Sequence, residues 1–389
     1  MYEQVVSMEN LRLAAKRVIA NGGSSGIDGQ TVEQFAARLE ENLQRLQRQL
    51  RSGSYRPLPL KRVWASKDGT SEMRPLGVPT VRDRVVQTAL MLVLGPVFEP
   101  DFANCSYGFR PGRGCHDALR QVITLLEQGY VHVVDADITK FFDNINHITL
   151  LSLIKDKVQE EWILRLIRAI LKTGVLEGSV VTDPGLGTPQ GGPSSPLLAN
   201  IYLNPMDHHM EEKGCKLVRY ADDFIILCLT RKQAEDGRKT AEEWLSTVGL
   251  SLHPDKTRTV EVNQSYGFDF LGYRFQSDLR SPRPKNIQKL KVNLWNRTRR
   301  SGNRDPEKVV GDVNQVLIGW WQHFQLTNKP QPFLELDAWI QGRIANLRSL
   351  RKGRNRNTNI KHITRKLFQL SKAFKTAQYD EGFVGSKTA

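Results

Sequence analysis

The chain has 389 residues, 39% of them hydrophobic and 25% charged, with a formal net charge of +15 at pH 7. That length fits two or three domains with a substantial core. No run reaches eighteen uncharged apolar residues, and the opening MYEQVVSMENLRLAAKR lacks an export-signal core, so no membrane association and a cytoplasmic location are expected. Cys105, Cys115, Cys215 and Cys228 form no CxxC pair, so neither a zinc site nor a disulfide framework is indicated.

In chain order, Phe35, Leu39, Leu43, Leu46 and Leu50 make a helical stripe from Val32 to about Gly53. Tyr55–Lys67, with Pro57 and Pro59, reads as strand or extended loop. Val85–Leu94 is a buried helix expected to stop at Gly95-Pro96, and His116–Gln128 is a helix closed by Gly129. Tyr130–Ile138 is a strand by its β-branching, and Leu150–Lys172 a helix pair. Lys216–Tyr220 and Phe224–Leu227 read as two strands of a hairpin, followed by an amphipathic helix at Ala234–Val248, a segment Ser251–Val262, and a short strand or hairpin at Phe268–Phe275. Interleaved helices and strands place the body in the α+β class.

Beyond Ser281-Pro282-Arg283-Pro284 the pattern turns helical and basic. Residues 281–389 hold 22 Lys+Arg against 7 Asp+Glu, while residues 1–280 hold 34 of each, so the second part carries the whole +15. Trp295, Trp320, Trp321, Phe324, Phe333 and Trp339 give this region a core, so it is more than a solvated tail. A neutral body joined to a basic helical domain is the electrostatic signature of a polyanion binder.

The stretch RYADDFIIL sets Asp222 and Asp223 at the hairpin tip. Turn preference accounts for one Asp; two adjacent carboxylates repel, and a divalent cation removes the repulsion. A third carboxylate is then required, and Asp137, at the end of the Tyr130–Ile138 strand, is the candidate. Helix capping is the competing reading for Asp137 and for Asp143. Three carboxylates holding two Mg²⁺ ions about 4 Å apart would clamp the attacking and leaving oxygens of a phosphoryl displacement. Mg²⁺ binds through one or two carboxylates plus substrate phosphates, which calls for a nucleotide.

VDADITKFFD, GTPQGGPSSPLLANIYL and RYADDFIIL, in this order, resemble motifs A, B and C of a reverse transcriptase. GIDG at 26–29, MRPLGVPTVRDRVVQ at 73–87 and SYGFRPGRGCHDAL at 106–119 narrow the resemblance to the bacterial group II intron-encoded reverse transcriptases and maturases, over about residues 8–345. The family implies a right-hand polymerase. Fingers with an N-terminal extension fall in 1–125, a ferredoxin-like palm in 126–280 with a fingers segment at about 150–185, and a basic α-helical thumb, or maturase domain X, in 281–389. No HNH endonuclease cluster follows.

By the same resemblance Asp137 and Asp222 ligate both metal ions, Asp223 participates more weakly, and the Ile138 carbonyl adds a ligand. The ions are Mg²⁺, with Mn²⁺ as a substitute. Phe142 matches the steric gate against a ribose 2′-OH, and Gln190 supports the nascent base pair. Lys67 and Arg74 match the residues gripping the triphosphate, although their spacing is one residue longer than usual. Lys256 in HPDKT matches the lysine that protonates pyrophosphate. Phe270, Leu271, Gly272 and Tyr273 match the primer grip, and Arg351, Lys352 and Arg354 form a basic run for template or primer. The expected partners are RNA template, DNA or RNA primer, dNTPs, a group II intron RNA and target DNA, with no membrane. A domesticated, free-standing relative serving DNA repair or phage defence is the alternative, compatible with an unmatched C-terminus. A splicing factor with a vestigial polymerase is disfavoured by the intact carboxylates.

Overall fold

The chain opens with helices α1 (Tyr2–Val5), α2 (Met8–Asn21), α3 (Val32–Ala37) and α4 (Leu39–Arg51). The computed structural model describes residues 1–66, 73–178, 180–182, 185–188, 191–263, 267–299, 306–346 and 366–385. The stripe expected as one helix is two. The backbone leaves helical geometry at Arg38 (φ −126°, ψ 41°), and Phe35, Leu43, Leu46 and Leu50 stay buried on both sides of the break.

Strands β1 (Leu60–Ser66) and β2 (Met73–Val78) precede α5 (Val81–Phe98). Thr80 caps α5, and the buried Asp83 carboxylate accepts from Thr80 Oγ1 (2.6 Å), Tyr55 Oη (2.7 Å) and Leu58 N (3.0 Å). Burial, and then Asp83, push the Tyr55 hydroxyl well above its usual pKa, so it stays a donor. The helix does not stop at Gly95-Pro96: Pro96 lies inside it. Proline forfeits one backbone bond, but Leu94 and Phe98 on either side are buried, and tertiary packing outweighs the local break.

After α6 (Cys115–Glu127) come β3 (His132–Asp137), α7 (Phe141–Asn144), α8 (His147–Lys155) and α9 (Glu161–Leu171). Next are β4 (Val175–Glu177), β5 (Val180–Thr182), α10 (Ser195–Glu212), β6 (Lys216–Tyr220), β7 (Asp223–Cys228), α11 (Arg231–Thr247) and β8 (Arg258–Glu261). One sheet has the order β2-β1-β4-β5 and the other β6-β7-β3-β8. In the second sheet β7 runs antiparallel to both β6 and β3, and its residues Phe224 to Leu227 are buried regardless of parity. Helices cover both faces: α11 packs on β3 and β7, and α6 on β6. This is an α+β body.

The chain divides into two compact units, Met1–Thr259 and Val260–Ala389. The second begins with a three-stranded sheet, β9 (Phe268–Phe270), β10 (Tyr273–Gln276) and β11 (Leu279–Pro282), in the order β11-β10-β9. Helices α12 (Pro284–Arg297), α13 (Pro306–Phe324), α14 (Gln331–Asn346) and α15 (Leu370–Gly385) follow. Leu294, Val313, Leu317, Phe333, Leu336 and Leu370 form their core, and the Asp337 carboxylate accepts from Leu370 N (3.0 Å) and Ser371 N (2.9 Å) at the start of α15. Among the described residues no helix is long and apolar enough to cross a membrane.

Two glycines separate close approach from open space. A Cβ on Gly108 would lie 2.5 Å from the Ala221 backbone nitrogen, whereas one on Gly95 would meet nothing within 4 Å. Gly108→Ala should cost about 1–3 kcal/mol, as overpacking against backbone does. Gly95→Ala, inside α5, should stabilise by about 0.5–1 kcal/mol. Urea midpoints of the two variants check this; equal midpoints would contradict the close approach.

Candidate active site

The hairpin tip and the end of β3 meet in register. Tyr220 pairs with Asp223 across the two-residue turn Ala221-Asp222, and Asp223 faces Asp137 on β3. The Asp137 carbonyl is taken on the other side by His253 N (2.7 Å). Asp137 and Asp223 are therefore a non-hydrogen-bonded pair, the class with the closer side chains, their Cα atoms about 4.5 Å apart. Asp222 is half-buried at the turn and Asp223 is exposed. Bonds from Thr139 N to Ser251 O (2.9 Å) and from His253 N flank the Ile138–Leu252 bridge. The Ile138 carbonyl therefore points away from residues 251–253, toward the β7 side. Lys256 Nζ lies 2.6 Å from Asp137 Oδ2. The structure thus sets Asp137 opposite Asp223, one residue from Asp222, with Lys256 on Asp137 and the Ile138 carbonyl turned to the same side of β3 as Asp223.

The turn needs support, because Ala221 has φ +61°, a left-handed conformation that costs a non-glycine residue about 1–2 kcal/mol. Arg219, fully buried, supplies it. Its Nη1 donates to Ala221 O (2.8 Å) and Asn200 Oδ1 (3.0 Å), and its Nε to the buried Asp207 Oδ1 (2.7 Å), with Nη2 on Asp207 Oδ2. Burial alone would lower the guanidinium's pKa; facing Asp207, Arg219 sits above its usual value and stays charged. From below, Tyr107 N donates to Arg219 O (2.9 Å) and Arg219 N to Cys105 O (2.8 Å), while Asn200 Nδ2 holds Gly108 O (2.8 Å). Burial raises the Cys105 thiol far above its usual pKa and pushes Cys228 up to about 12, so neither is a nucleophile.

Beyond β3 the chain kinks at Lys140 (φ +43°), which drives Phe141 into the core and leaves Phe142 half-buried. Phe142 lines a cavity of about 200 Å³ with Arg62, Pro75, Gly77 and Thr188. Among the described residues Thr188 Oγ1 is buried without a hydrogen-bond partner, and Arg62 Nε, likewise without a hydrogen bond, is ion-paired with Glu177 Oε2 at 3.8 Å.

The reverse transcriptase (RNA-dependent DNA polymerase) family profile matches residues 65–275, more than half of the chain. The chain is a reverse transcriptase. The group II intron maturase-specific domain matches residues 287–368, which places it with the group II intron reverse transcriptases and maturases. It is 32% identical over 311 residues to Protein YkfC of Escherichia coli (strain K12), covering 69% of this chain and 81% of that one. It is 36% identical over 227 residues to the group II intron-encoded protein LtrA of Lactococcus lactis subsp. cremoris, covering 58% of this chain. The match spans only 37% of LtrA. A chain of a solved partial Cas6-RT-Cas1--Cas2 complex aligns at 27% identity and TM-score 0.41, over 64% of this chain and 41% of that one.

Reverse transcriptases use divalent metal ions, and the donors at this tip are hard carboxylate oxygens with a backbone carbonyl, the set such ions prefer. The Lys256 ammonium already drawn to Asp137 marks the same demand for positive charge.

Of the remaining sequence-expected residues, Lys67, Gln190, Arg351, Lys352 and Arg354 lie outside the described residues. Arg74 lies in β2, opposite Ala65. Asp143 is not an N-cap, because Lys140 holds that place in α7. In the second unit, Phe270 and Tyr273 are buried and paired, and the turn between them takes Leu271 (φ +46°) and Gly272 (φ +89°). Gly272 O accepts from Asn286 Nδ2 (3.0 Å), and His323 Nε2 pairs with Leu271 O (3.0 Å). Only the tip of this hairpin is presented. Sequence reasoning missed Arg219, Asp207, Asn200, Arg62 and Thr188. The available signal was Arg219 and Asp207, two charges inside the otherwise apolar runs LVRY and ANIYLNPMD.

Removing one partner of the buried pair leaves the other uncompensated. Arg219→Met should cost about 3–5 kcal/mol, and Arg219→Met with Asp207→Leu markedly less. Urea denaturation of both variants tests this; a double variant no more stable than the single one would refute it.

Proposed function

We propose that Asp137, Asp222 and Asp223 hold two Mg²⁺ ions and that this reverse transcriptase extends a DNA or RNA primer with dNTPs on an RNA template. The observation carrying this reading is the register that sets Asp137 against Asp223, one residue from Asp222. The bound ions would supply charge neutralisation for the primer 3′-oxygen and for the leaving group. In the reaction the primer 3′-hydroxyl loses its proton to water and its oxygen bonds to the α-phosphorus as the α–β phosphoanhydride breaks and pyrophosphate departs. The Ile138 carbonyl adds a ligand to the carboxylate set. Lys256, 2.6 Å from Asp137, would be released where bound cations neutralise that carboxylate, and is placed to donate a proton to the departing pyrophosphate. Phe142 fills the space of a ribose 2′-OH, in a cavity that Arg62 and Thr188 also line. Arg74 and Lys67 grip the triphosphate, and Gln190 backs the new pair.

On this reading residues 1–125 form the fingers, 126–280 the palm with a fingers excursion at about 150–185, and 281–389 the basic thumb. Leu271 and Gly272 present backbone to the primer, and Arg351, Lys352 and Arg354 touch its phosphates. Residues 287–368 also bind the group II intron RNA, whose splicing and delivery to target DNA the protein assists. The net charge of the basic region supports this reading.

Asp222→Asn should lower primer extension by at least about a hundredfold to a thousandfold, on the scale of one lost transition-state contact. RNA binding should change less than about twofold, since no phosphate contact is removed. Equal loss of binding and synthesis would refute the metal assignment. Separately, Phe142→Val should cut dNTP-over-rNTP discrimination by roughly tenfold or more. Unchanged discrimination in single-nucleotide kinetics would make Phe142 mere packing.

A further inference from the structure

Helices α12 and α14 carry an alternating ladder of cations and indoles. Arg299 Cζ lies 4.8 Å from the Trp295 ring; Arg343 Cζ lies 5.7 Å from Trp295 and 6.0 Å from Trp339; Lys291 Nζ lies 5.8 Å from Trp339. Each ring thus has two cations over it, Arg343 bridges the two rings, and Trp295 still keeps 43% of its surface exposed. Arg343 is also pinned, donating through Nη2 to Thr298 Oγ1 (3.1 Å) and Thr298 O (3.4 Å). None of the three cations has a carboxylate partner among the described residues. Beside the ladder a groove of about 240 Å³ is lined by Gln288, Lys291, Val292, Trp295 and Trp339. Val292 is 50% exposed.

An internal clamp between two helices has no need of two half-exposed apolar side chains, nor of three cations without acidic partners among the described residues. Stacking surface edged by clustered positive charge suits an aromatic polyanion, a nucleic acid. A continuous duplex keeps its base faces stacked on one another and offers such a surface only phosphate. A folded RNA with a loop or bulge offers a splayed base and its flanking phosphates together.

We propose that this groove captures an unpaired base of a structured RNA, with the Trp295 indole as the stacking surface and Lys291 and Arg299 on the flanking phosphates. Arg343 is the positioning residue that sets the two indoles. The proposal deepens the assignment of residues 287–368 to intron RNA and rests on it. It assigns recognition to a feature of RNA shape, separate from generic attraction to phosphate.

The test uses the full chain and two RNAs: a hairpin with a purine-rich loop carrying 2-aminopurine, and a fully paired duplex of the same stem. Trp295→Ala should weaken hairpin binding roughly tenfold to a hundredfold, leave duplex binding within about twofold, and abolish the stacking signal of the loop fluorophore. Its slope of log K against log salt should stay unchanged, because stacking releases no counterions. Arg299→Gln should keep the fold and flatten the hairpin slope by about 0.7–0.9. Equal losses on both RNAs, or no fluorescence change when the unmodified protein binds the hairpin, would overturn the proposal, and the second readout holds even where Trp295→Ala fails to fold. Primer extension on an unstructured template should persist in Trp295→Ala, which removes no phosphate contact. Loss of hairpin recognition with synthesis intact separates this site from the polymerase, and loss of synthesis in the unmodified protein would instead indict the polymerase reading.

Discussion

The buried ion pair of Arg219 and Asp207 is the constraint on which the first unit's chemistry depends. A two-residue turn that places carboxylates at its tip is locally unfavourable, through like-charge repulsion and through the left-handed Ala221. Arg219 offsets both with one guanidinium: its bond to the Ala221 carbonyl fixes the turn, and its positive charge lies beneath the acidic tip. Burying that charge is costly unless the fork is filled, and Asp207 and Asn200 fill it from α10. The helix following the GTPQGG motif is thereby locked to the hairpin bearing the aspartates.

The same economy governs the loop at residues 105–108. It adds a short parallel bridge to Arg219 and ends on Gly108, whose missing side chain lets backbone press directly on the turn. A side chain there would lift the turn and move Asp222 and Asp223 away from Asp137. Three separated segments of sequence therefore converge on one small volume because each gives up something: a side chain, a favourable φ, or a solvated charge.

The second unit is built differently. Its core is helical and apolar, and its charge lies outside, with only a few acidic residues to answer it. Where indoles break through that charged surface, they do so next to cations, so attraction to phosphate and stacking on bases are offered at one place. Affinity without sequence information and recognition of RNA shape can then reside on the same helices.

Much was legible in the sequence because it depends on local pattern. Short β-branched and aromatic runs gave β3, β6 and β7, the adjacent aspartates gave the hairpin tip, and the run of charges gave the basic domain. Asp137 was found by asking what two like charges require. Tertiary structure alone decided the rest. Pro96 reads as a stop but is overruled by burial on both flanks, and the stripe from Val32 splits at Arg38 although its apolar spacing is unbroken. The role of Arg219 depends on Asp207 and Asn200, and the cavity wall on Arg62 and Thr188, which are far apart in the chain. Chain pattern reports what each residue prefers among its neighbours in sequence. Which buried charge meets which partner, and which glycine must be bare, is set by long-range packing that no local period encodes.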